Sequence, residues 1–425
     1  MNDFLTFLAD SPSSFHAVAN LGQTLEKTGY TRLSESYPWS LVPGGRYFVT
    51  RNGSSLLAFR VPRADFAGFM IAASHADAPT FHIKENAEIS GPESYVRINT
   101  ERYGGMLCAP WLDRPLTVAG RVLVQTPEAI ETRLVYVDKD LLLIPNVAIH
   151  MNREANSGTK YDPKCDTVPL MGLAGSKGAF RSIIAQAAGC AQEDILGTDL
   201  YLCLRERGRV WGANDEFISA PRLDDLQCAY GCFQGFLHAS ESASIPLYAL
   251  IDSEEVGSHT KQGAGGTFLS DAIGRICDAL GRDRSTAVAN SFLVSADNSH
   301  AVHPNHPEYH DATHRPVMNG GVVIKQGVRY ATDGAAQALF TAVCRKAGVP
   351  VQHFSNRSDL PGGGTLGLIA NSHVSVNTVD IGLAQLAMHS CFETAGAKDV
   401  DYLITAMTAF YGASFRETNG RFTLE

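Results

Sequence analysis

The chain has 425 residues, of which 44% are hydrophobic and 19% charged. This composition excludes a disordered or fibrous protein and predicts two or three domains with a large core. Thirty-five Lys and Arg residues against 44 Asp and Glu give a net charge of −9 at pH 7. Since no basic segment offsets this charge, and no apolar run approaches the ~20 residues of a membrane span, we expect binding neither to nucleic acid nor to a membrane.

The N-terminus and the cysteines both indicate a soluble cytoplasmic protein. The N-terminal segment carries Asp3 and Asp10 and lacks the basic and apolar stretches of a secretory signal. Nine cysteines, an odd number, are scattered without the spacing of a disulfide framework. A reducing compartment suits both observations.

The first ninety residues carry signals of a helix, a hairpin and a buried strand. Residues 13–29 combine hydroxyl caps, spaced apolar residues and a terminal glycine, which predict an amphipathic helix. The dipeptide Asn52-Gly53 between two apolar segments predicts a two-residue hairpin turn. The continuous apolar run at 68–74 predicts a strand buried on both faces.

The pattern changes twice along the rest of the chain. From about residue 95 to 220, short strand-like segments follow one another and only 176–188 is clearly helical. After residue 224, helices and strands alternate, which is typical of an α/β layer with a largely parallel sheet. The helices are predicted at 225–239, 267–280, 334–347 and 400–411, and the strands at 245–252, 291–297, 321–325 and 375–382. We therefore predict an α/β domain of residues 1–90 and 221–425, with flanking helices, interrupted by a β-rich domain of residues 91–220.

Polar residues follow the predicted buried strands of the α/β part. They are His75 and Asp77, Glu254 and Glu255, Asp297, and His389, and a further acidic pair, Asp224 and Asp225, begins a helix. Because the carboxyl ends of strands line the ligand crevice of an open α/β sheet, these side chains should converge. Carboxylates and imidazoles gathered without countercharge would repel one another and lose hydration, so we expect a bound cation.

The types of residue in this cluster favour zinc or a similar divalent metal. Two imidazoles with several carboxylates suffice for two ions that share a bridging carboxylate. Of two adjacent glutamates, one can bind metal while the other stays free as a general base. Asp77 can accept the second N–H of the His75 imidazole. Taken singly, each histidine is more often structural and a Glu-Glu pair is more often solvated surface, so the prediction depends on their shared position at strand ends.

Seven sequence motifs occur in a fixed order along the chain. They are SHADAP, AIHMNR, RLDDL, DSEEVGS, SADNSHAVHPN, RYATD and VDIGLAQLAMHS. In order and spacing they resemble the M18 metallopeptidases known as aspartyl aminopeptidases. The resemblance implies a two-zinc exopeptidase that removes N-terminal Asp or Glu from peptides by means of a metal-bridging hydroxide. It also implies that the inserted β-rich domain is a dimerisation domain and that dimers assemble into a dodecamer.

The resemblance assigns a role to each candidate residue. It implies five zinc ligands, which are His75, Asp224, Glu255, Asp297 and His389, with Asp224 bridging the two ions. Glu254 would be the catalytic base and Asp77 would orient His75. His150 of AIHMNR would be either a zinc ligand or a group that reaches the substrate in a neighbouring subunit. Lys325 matches a lysine suited to pairing with the acidic side chain of the substrate.

For His150 we predict the substrate role. The alternative is that His150 is purely structural and satisfies a buried strand end.

Two other functions stay open from the sequence. One is a deacylase or carboxypeptidase-like metallohydrolase, which would not need a free N-terminus on its substrate. The other is a non-catalytic shell protein of the same fold, which would be expected to lack the base or a ligand, whereas this sequence keeps them all.

Overall fold

The computed structural model describes residues 1–360 and 362–425, and its helices and strands are numbered here in chain order. The α-helices are α1 (Asn2–Asp10), α2 (Ser14–Lys27), α3 (Ala179–Ala188), α4 (Leu223–His238), α5 (Phe268–Leu280), α6 (Arg284–Ala289), α7 (Gly334–Ala347), α8 (Leu366–His373) and α9 (Asp399–Tyr411). The strands of the first half are β1 (Thr31–Arg32), β2 (Arg46–Arg51), β3 (Ser55–Arg60), β4 (Phe69–His75), β5 (Thr80–Ser90), β6 (Tyr95–Tyr103), β7 (Leu116–Gln125), β8 (Ile130–Tyr136), β9 (Leu170–Leu173), β10 (Ile195–Leu204), β11 (Arg209–Trp211) and β12 (Phe217–Ala220). Those of the second half are β13 (Ile245–Ile251), β14 (Phe292–Ala296), β15 (Ser299–His300), β16 (Val322–Lys325), β17 (Val351–Phe354), β18 (Asn377–Gly382), β19 (Ala384–Leu386), β20 (Glu393–Gly396), β21 (Phe415–Thr418) and β22 (Arg421–Leu424).

A nine-stranded sheet forms the centre of the molecule, in the order β1-β2-β3-β13-β4-β14-β18-β16-β17. Its middle strands β13, β4, β14 and β18 are mutually parallel, while β3 and β16 join them antiparallel. The predicted hairpin between β2 and β3 is present, but its loop has three residues, Asn52, Gly53 and Ser54, instead of the predicted two. Asn52 and Gly53 both have a positive φ. Parallel central strands all end at one edge of the sheet, and that edge carries the site described below.

Helices cover both faces of the central sheet, which explains the continuous apolar strands. In β4, Met70 and Ala72 join the core beneath α1, α2, α4, α7 and α9, whereas Ile71 and Ala73 join the core beneath α5, α6 and α8. A strand buried on both faces has no polar alternation, as residues 68–74 show. This arrangement confirms the predicted α/β class. No helix within the described ranges is long and apolar enough to cross a membrane.

A second sheet of six strands, β8-β7-β10-β5-β6-β9, is antiparallel and has its own core, which α3 helps to cover. A third sheet, β11-β12-β20-β19-β15, pairs residues 217–220 with residues 393–396. The predicted domain limits stay a prediction, and the sheets follow them only in part. Strand β5 lies before residue 91 yet belongs to the six-stranded sheet. Strands β11 and β12 lie before residue 221 yet belong to the third sheet, in which β12 pairs with β20.

Helix α1 is tied to the start of α4 by Arg222, which has a φ of +60°. The Arg222 Nε donates to the carbonyl oxygen of Ser11 at 3.1 Å, and its Nη2 donates to that of Leu8 at 2.9 Å. Carbonyls at the C-terminal end of a helix lack partners within the helix, so the guanidinium caps α1. The cap lies directly before the segment that carries Asp224.

Candidate metal centre

The predicted polar residues meet at the carboxyl edge of the central sheet. His75 is the last residue of β4, and Asp297 follows β14. The two glutamates lie in a short 3₁₀ turn, Glu254–Val256, after β13. Asp224 lies at the start of α4 and His389 between β19 and β20.

His75 forms one end of the cluster. Its side chain is buried, and its Nδ1 lies 3.0 Å from the main-chain oxygen of Asp77. An imidazole whose Nδ1–H donates to a carbonyl presents a lone pair at Nε2, the arrangement of a metal ligand. This Nε2 lies 3.4 Å from Asp224 Oδ1 and 3.7 Å from Asp297 Oδ1. Burial alone would lower the pKa of His75, but the three neighbouring aspartates outweigh it and raise the pKa well above its ordinary value.

His389 forms the other end and is partly exposed. Its Nε2 lies 3.5 Å from Asp224 Oδ2 and 3.4 Å from Glu255 Oε2, while its Nδ1 hydrogen-bonds to the main-chain oxygen of Gly105. The two oxygens of Asp224 therefore face two different histidines. A carboxylate in this position can bridge two cations.

Two buried oxygens of the five candidate ligands have no hydrogen-bond partner among the described residues. They belong to Asp224 (Oδ1) and Glu255 (Oε1). Burial, and then the nearby Asp224, raise the pKa of Glu255 well above its ordinary value. Unpaired buried carboxylate oxygens beside imidazole nitrogens are the donor set that zinc prefers, so these residues fit a zinc site.

Lys325 provides the cluster with a buried positive charge. Its Nζ lies 3.3 Å from Asp297 Oδ2 and donates to the main-chain oxygen of Asn298 at 2.9 Å. Burial opposes ionisation of Asp297, but Lys325 and then His75 outweigh it and hold the pKa of Asp297 below its ordinary value. Asp297 is thus ionised without an added cation.

The two adjacent glutamates have different surroundings. The Glu255 carboxylate is the one that contacts His389, whereas Glu254 lines the cavity beside the cluster. Burial, together with the nearby Asp297, Asp77 and Asp224, raises the pKa of Glu254 to about 7. A carboxyl group with a pKa near neutrality can take up and release a proton at neutral pH, as a general base must.

Asp77 holds the turn that carries the two glutamates. Its carboxylate accepts hydrogen bonds from the Tyr103 hydroxyl at 2.8 Å and from the main-chain N–H groups of Glu254 and Glu255 at 3.1 Å each. The nearest Asp77 oxygen to His75 Nδ1 is the main-chain carbonyl, because the carboxylate Oδ1 is 3.5 Å away. The predicted orientation of His75 by Asp77 would thus act mainly through the backbone.

A cavity of about 410 Å³ opens beside the cluster. Besides the predicted residues it is lined by His300, Tyr330, Phe354 and Thr365, and Lys325 forms part of its wall. His150 is not among the described lining residues; it is exposed on the loop after β8. The exposure of His150 in the single chain does not fit the alternative that it satisfies a buried strand end.

Glu393 is a site residue that the sequence analysis missed. This buried carboxylate accepts the main-chain N–H of Asp224 at 2.9 Å and that of His389 at 2.8 Å. It therefore fixes the backbones of two candidate ligands. A single acidic residue at the start of a short strand carries no sequence signal for this role, apart from lying four residues after His389.

Comparisons with known proteins agree with this geometry. A family model described as aminopeptidase I zinc metalloprotease (M18) matches residues 7–411. A Clostridium acetobutylicum protein named "Probable M18 family aminopeptidase 2" is 43% identical over 420 residues, covering 96% of this chain and 97% of the relative.

Solved structures show the same fold. The chain resembles a protein in a cryo-EM structure of the Ape4 and Nbr1 complex, with a TM-score of 0.94, 34% identity, and coverage of 97% of this chain and 85% of the other. It also resembles the S. cerevisiae mApe1 dodecamer, with a TM-score of 0.85, 30% identity, and coverage of 96% and 95%. The chain belongs to the M18 family of metallo-aminopeptidases, a family of zinc-dependent hydrolases.

Proposed function

We propose that this aminopeptidase holds two zinc ions per chain and removes N-terminal Asp or Glu from peptides. The observation that carries the proposal is the position of Asp224, whose Oδ1 and Oδ2 lie 3.4 and 3.5 Å from the Nε2 atoms of two different histidines. One ion would be held by His75, Asp297 and Asp224, and the other by His389, Glu255 and Asp224.

When bound, such ions polarise the scissile carbonyl, lower the pKa of a water molecule and hold the free α-amine of the substrate. The residues of the chain do the rest. Glu254, with its pKa near 7, takes the proton from the attacking water and passes it to the leaving amine. The Asp77 carboxylate fixes the turn that carries Glu254, since it accepts the N–H groups of that turn.

The preference for acidic residues rests on Lys325. An ammonium group has three donors, and here one lies by Asp297 and another reaches the Asn298 carbonyl. The third is left for a carboxylate in the cavity. Lys325 is the only Lys or Arg among the described residues that line this cavity. A substrate carboxylate entering it needs such a cation to offset its lost hydration.

The Lys325→Met variant tests this preference. We expect the ratio of kcat/KM for Asp- over Ala-substrates to fall to about one, with residual hydrolysis of neutral substrates. The ratio is measured because Lys325 also neutralises Asp297, so its replacement can lower activity in general. Such a loss lowers both kcat/KM values equally and cancels in their ratio. Lys325→Arg, which keeps the charge, is the matched control. An unchanged ratio in Lys325→Met would contradict the assignment.

We propose further that the chain assembles into dimers and a dodecamer in which His150 completes the site of a neighbouring subunit. His150 is exposed beside three exposed apolar residues, Val147, Ile149 and Met151, on the same loop. The chain offers five candidate ligands without it, so its imidazole is free to donate a hydrogen bond to the tetrahedral oxyanion. The resemblance to the mApe1 dodecamer supports the assembly.

Mixed oligomers test the role of His150. His150→Phe should keep its zinc and its assembly and lose activity by ~10²–10³-fold. Co-expression of His150→Phe with Glu254→Gln chains should then restore activity, because each intact site receives its missing group from the other chain. Loss of one zinc per chain in His150→Phe would make it a ligand, and failure of the mixed oligomers to recover would place His150 in its own site.

The decisive experiment for the whole proposal is metal analysis combined with a panel of aminoacyl substrates. Two zinc ions per chain, turnover of Asp- and Glu-substrates, and no turnover once the N-terminus is acetylated would support it. Cleavage of the acetylated substrates would favour a deacylase or carboxypeptidase-like enzyme. Binding of peptide without turnover would favour a non-catalytic shell protein.

The nine cysteines are all thiols in the structure, which supports the proposal that the enzyme works in a reducing cytoplasm.

A further inference from the structure

The segment from Tyr103 to Leu107 crosses from the inserted six-stranded sheet to the metal centre. It begins with Tyr103, the last residue of β6, and we call it the 103–107 segment. It contacts three residues of the centre: Asp77, Glu255 and His389. None of these contacts involves a charged side chain of the segment, so composition alone gives no hint of them.

Tyr103 acts on the His75 end of the cluster through Asp77. Its hydroxyl donates to Asp77 Oδ2 at 2.8 Å, and the same carboxylate receives the N–H groups of the two glutamates. The main-chain oxygen of Asp77 in turn faces His75 Nδ1 at 3.0 Å. The Tyr103 hydroxyl therefore holds Asp77, the residue that fixes both His75 and the turn that carries Glu254.

Gly105 and Leu107 act on the other end. The Gly105 carbonyl accepts from His389 Nδ1, which leaves Nε2 as the ligand atom. The Leu107 N–H donates to the His389 carbonyl at 3.1 Å, and so holds a residue whose φ is +66°. Gly104, which lies between Tyr103 and Gly105, has a φ of +79°, and a Cβ there would lie 3.1 Å from Glu255 Cβ. Glycine lets the segment pass this close to a candidate ligand.

We propose that the 103–107 segment is a positioning element that holds His75, Glu255 and His389 ready for metal from outside the catalytic sheet. The inserted domain then has a part in metal binding as well as in assembly. The inference rests on the proposed function, since it presupposes that these residues bind zinc. Partners that orient metal-ligating histidines usually contribute 10–100-fold to metal affinity or activity, roughly, and we expect that range here.

Tyr103→Phe tests the first contact, because it removes one hydroxyl and keeps the ring. Tyr201→Phe is the matched control: its ring packs against that of Tyr103 with centroids 5.5 Å apart, and its hydroxyl makes no hydrogen bond to Asp77. For the full-length oligomer we would measure the zinc dissociation constants by chelator competition, the thermal unfolding of the zinc-free protein, and kcat and KM separately. We expect Tyr103→Phe to bind zinc at least ~10-fold more weakly and to lose kcat with little change in KM, while Tyr201→Phe stays within about twofold.

Gly104→Ala tests the second contact independently, because its methyl group would press on Glu255. It should weaken zinc binding while the oligomer stays intact. Unchanged zinc affinity in both Tyr103→Phe and Gly104→Ala would overturn the proposal. It would also be overturned if Tyr103→Phe lost zinc affinity only in step with a loss of stability that the zinc-free Tyr201→Phe protein shows equally. If the unaltered protein bound no zinc, the proposed function itself would fail, which is a separate outcome.

Discussion

The two ends of the metal centre share Asp224 but differ in burial and in charge. At the closed end, made by His75, Asp297 and Lys325, the histidine side chain is 1% exposed and the lysine neutralises the aspartate at 3.3 Å. At the open end, made by His389 and Glu255, the histidine side chain is 35% exposed and a buried Glu255 oxygen has no partner among the described residues. The aspartate of the closed end has a lysine beside it, whereas the buried Glu255 carboxylate of the open end has no lysine or arginine partner among the described residues.

This difference predicts that the two ends respond differently to the same kind of change. A ligand that is ionised and paired in the zinc-free protein contributes to folding as well as to metal binding. A buried ligand that has no lysine or arginine beside it, and whose pKa burial raises, contributes mainly to metal binding. Each prediction below either separates the two ends more sharply or removes the distinction.

The largest contrast is expected from neutral replacements in the zinc-free protein. Asp297→Asn leaves the buried Lys325 without its counterion and should lower the free energy of unfolding by about 3–5 kcal/mol. Glu255→Gln removes a carboxyl group whose ionisation burial disfavours and which has no lysine or arginine partner among the described residues, so its effect should stay below about 1 kcal/mol. Urea denaturation of chelator-treated protein measures both. Equal losses in the two variants would remove the distinction between closed and open ends.

Glu254, the proposed base, lies beside both ends. Glu254→Gln keeps the size of the side chain and removes its basicity, so kcat should fall by at least ~10²-fold while the zinc content is unchanged. Zinc analysis and steady-state kinetics on the same preparation check this. Glu255→Gln is the control, and it should lose zinc from the open end. If Glu254→Gln loses the metal and Glu255→Gln does not, the two roles are reversed.

Glu393 should affect the open end more than the closed end. In Glu393→Gln, an amide NH₂ replaces one of the acceptor oxygens that hold the N–H groups of Asp224 and His389. His389 is the more exposed of the two histidines, and we expect zinc at the open end to bind ~10-fold more weakly, with the other ion nearly unaffected. Stepwise zinc titration distinguishes the two ions. A uniform weakening of both would show that Glu393 acts through Asp224 alone.

The smallest effect concerns pH. The proposed base, Glu254, must be ionised to act. Burial raises its pKa to about 7, so activity should be present above this pKa and fall as the pH drops through it. Bound cations favour the carboxylate, which places the midpoint, where kcat is halved, below 7 in the zinc enzyme. A kcat–pH profile measures it. The residual activity of Glu254→Gln should lack this acid limb, and its persistence would assign the limb to another group.

The elements with strong local signals were predictable from the sequence. Helix α7 occupies the predicted range 334–347, and the Asn52-Gly53 hairpin and the buried strand β4 are also confirmed. In each case the signal lies within a few consecutive residues. Helices α1, α6 and α8 and the third sheet were not predicted. The pairing of β12 with β20 joins residues more than 170 positions apart, which no local pattern encodes.

The candidate site divides in the same way. Ligand types at the ends of buried strands are visible in the sequence, and the structure brings His75, Asp224, Glu255, Asp297 and His389 together. The partners that orient them are not visible, because Gly105 and Leu107 act through main-chain atoms. Glu393 and Asp77 likewise bind main-chain N–H groups of the ligands and the base. A backbone contact leaves no trace in residue type.

The Arg222 cap joins the first helix to the residue that both ends share. The Arg222 guanidinium donates hydrogen bonds to the Leu8 and Ser11 carbonyls, and Arg222 lies two positions before Asp224 in the chain. Proteolytic trimming of residues 1–11 would leave the arginine without these acceptors and loosen the start of α4. Limited proteolysis within residues 1–11 should therefore release bound zinc before the central sheet unfolds.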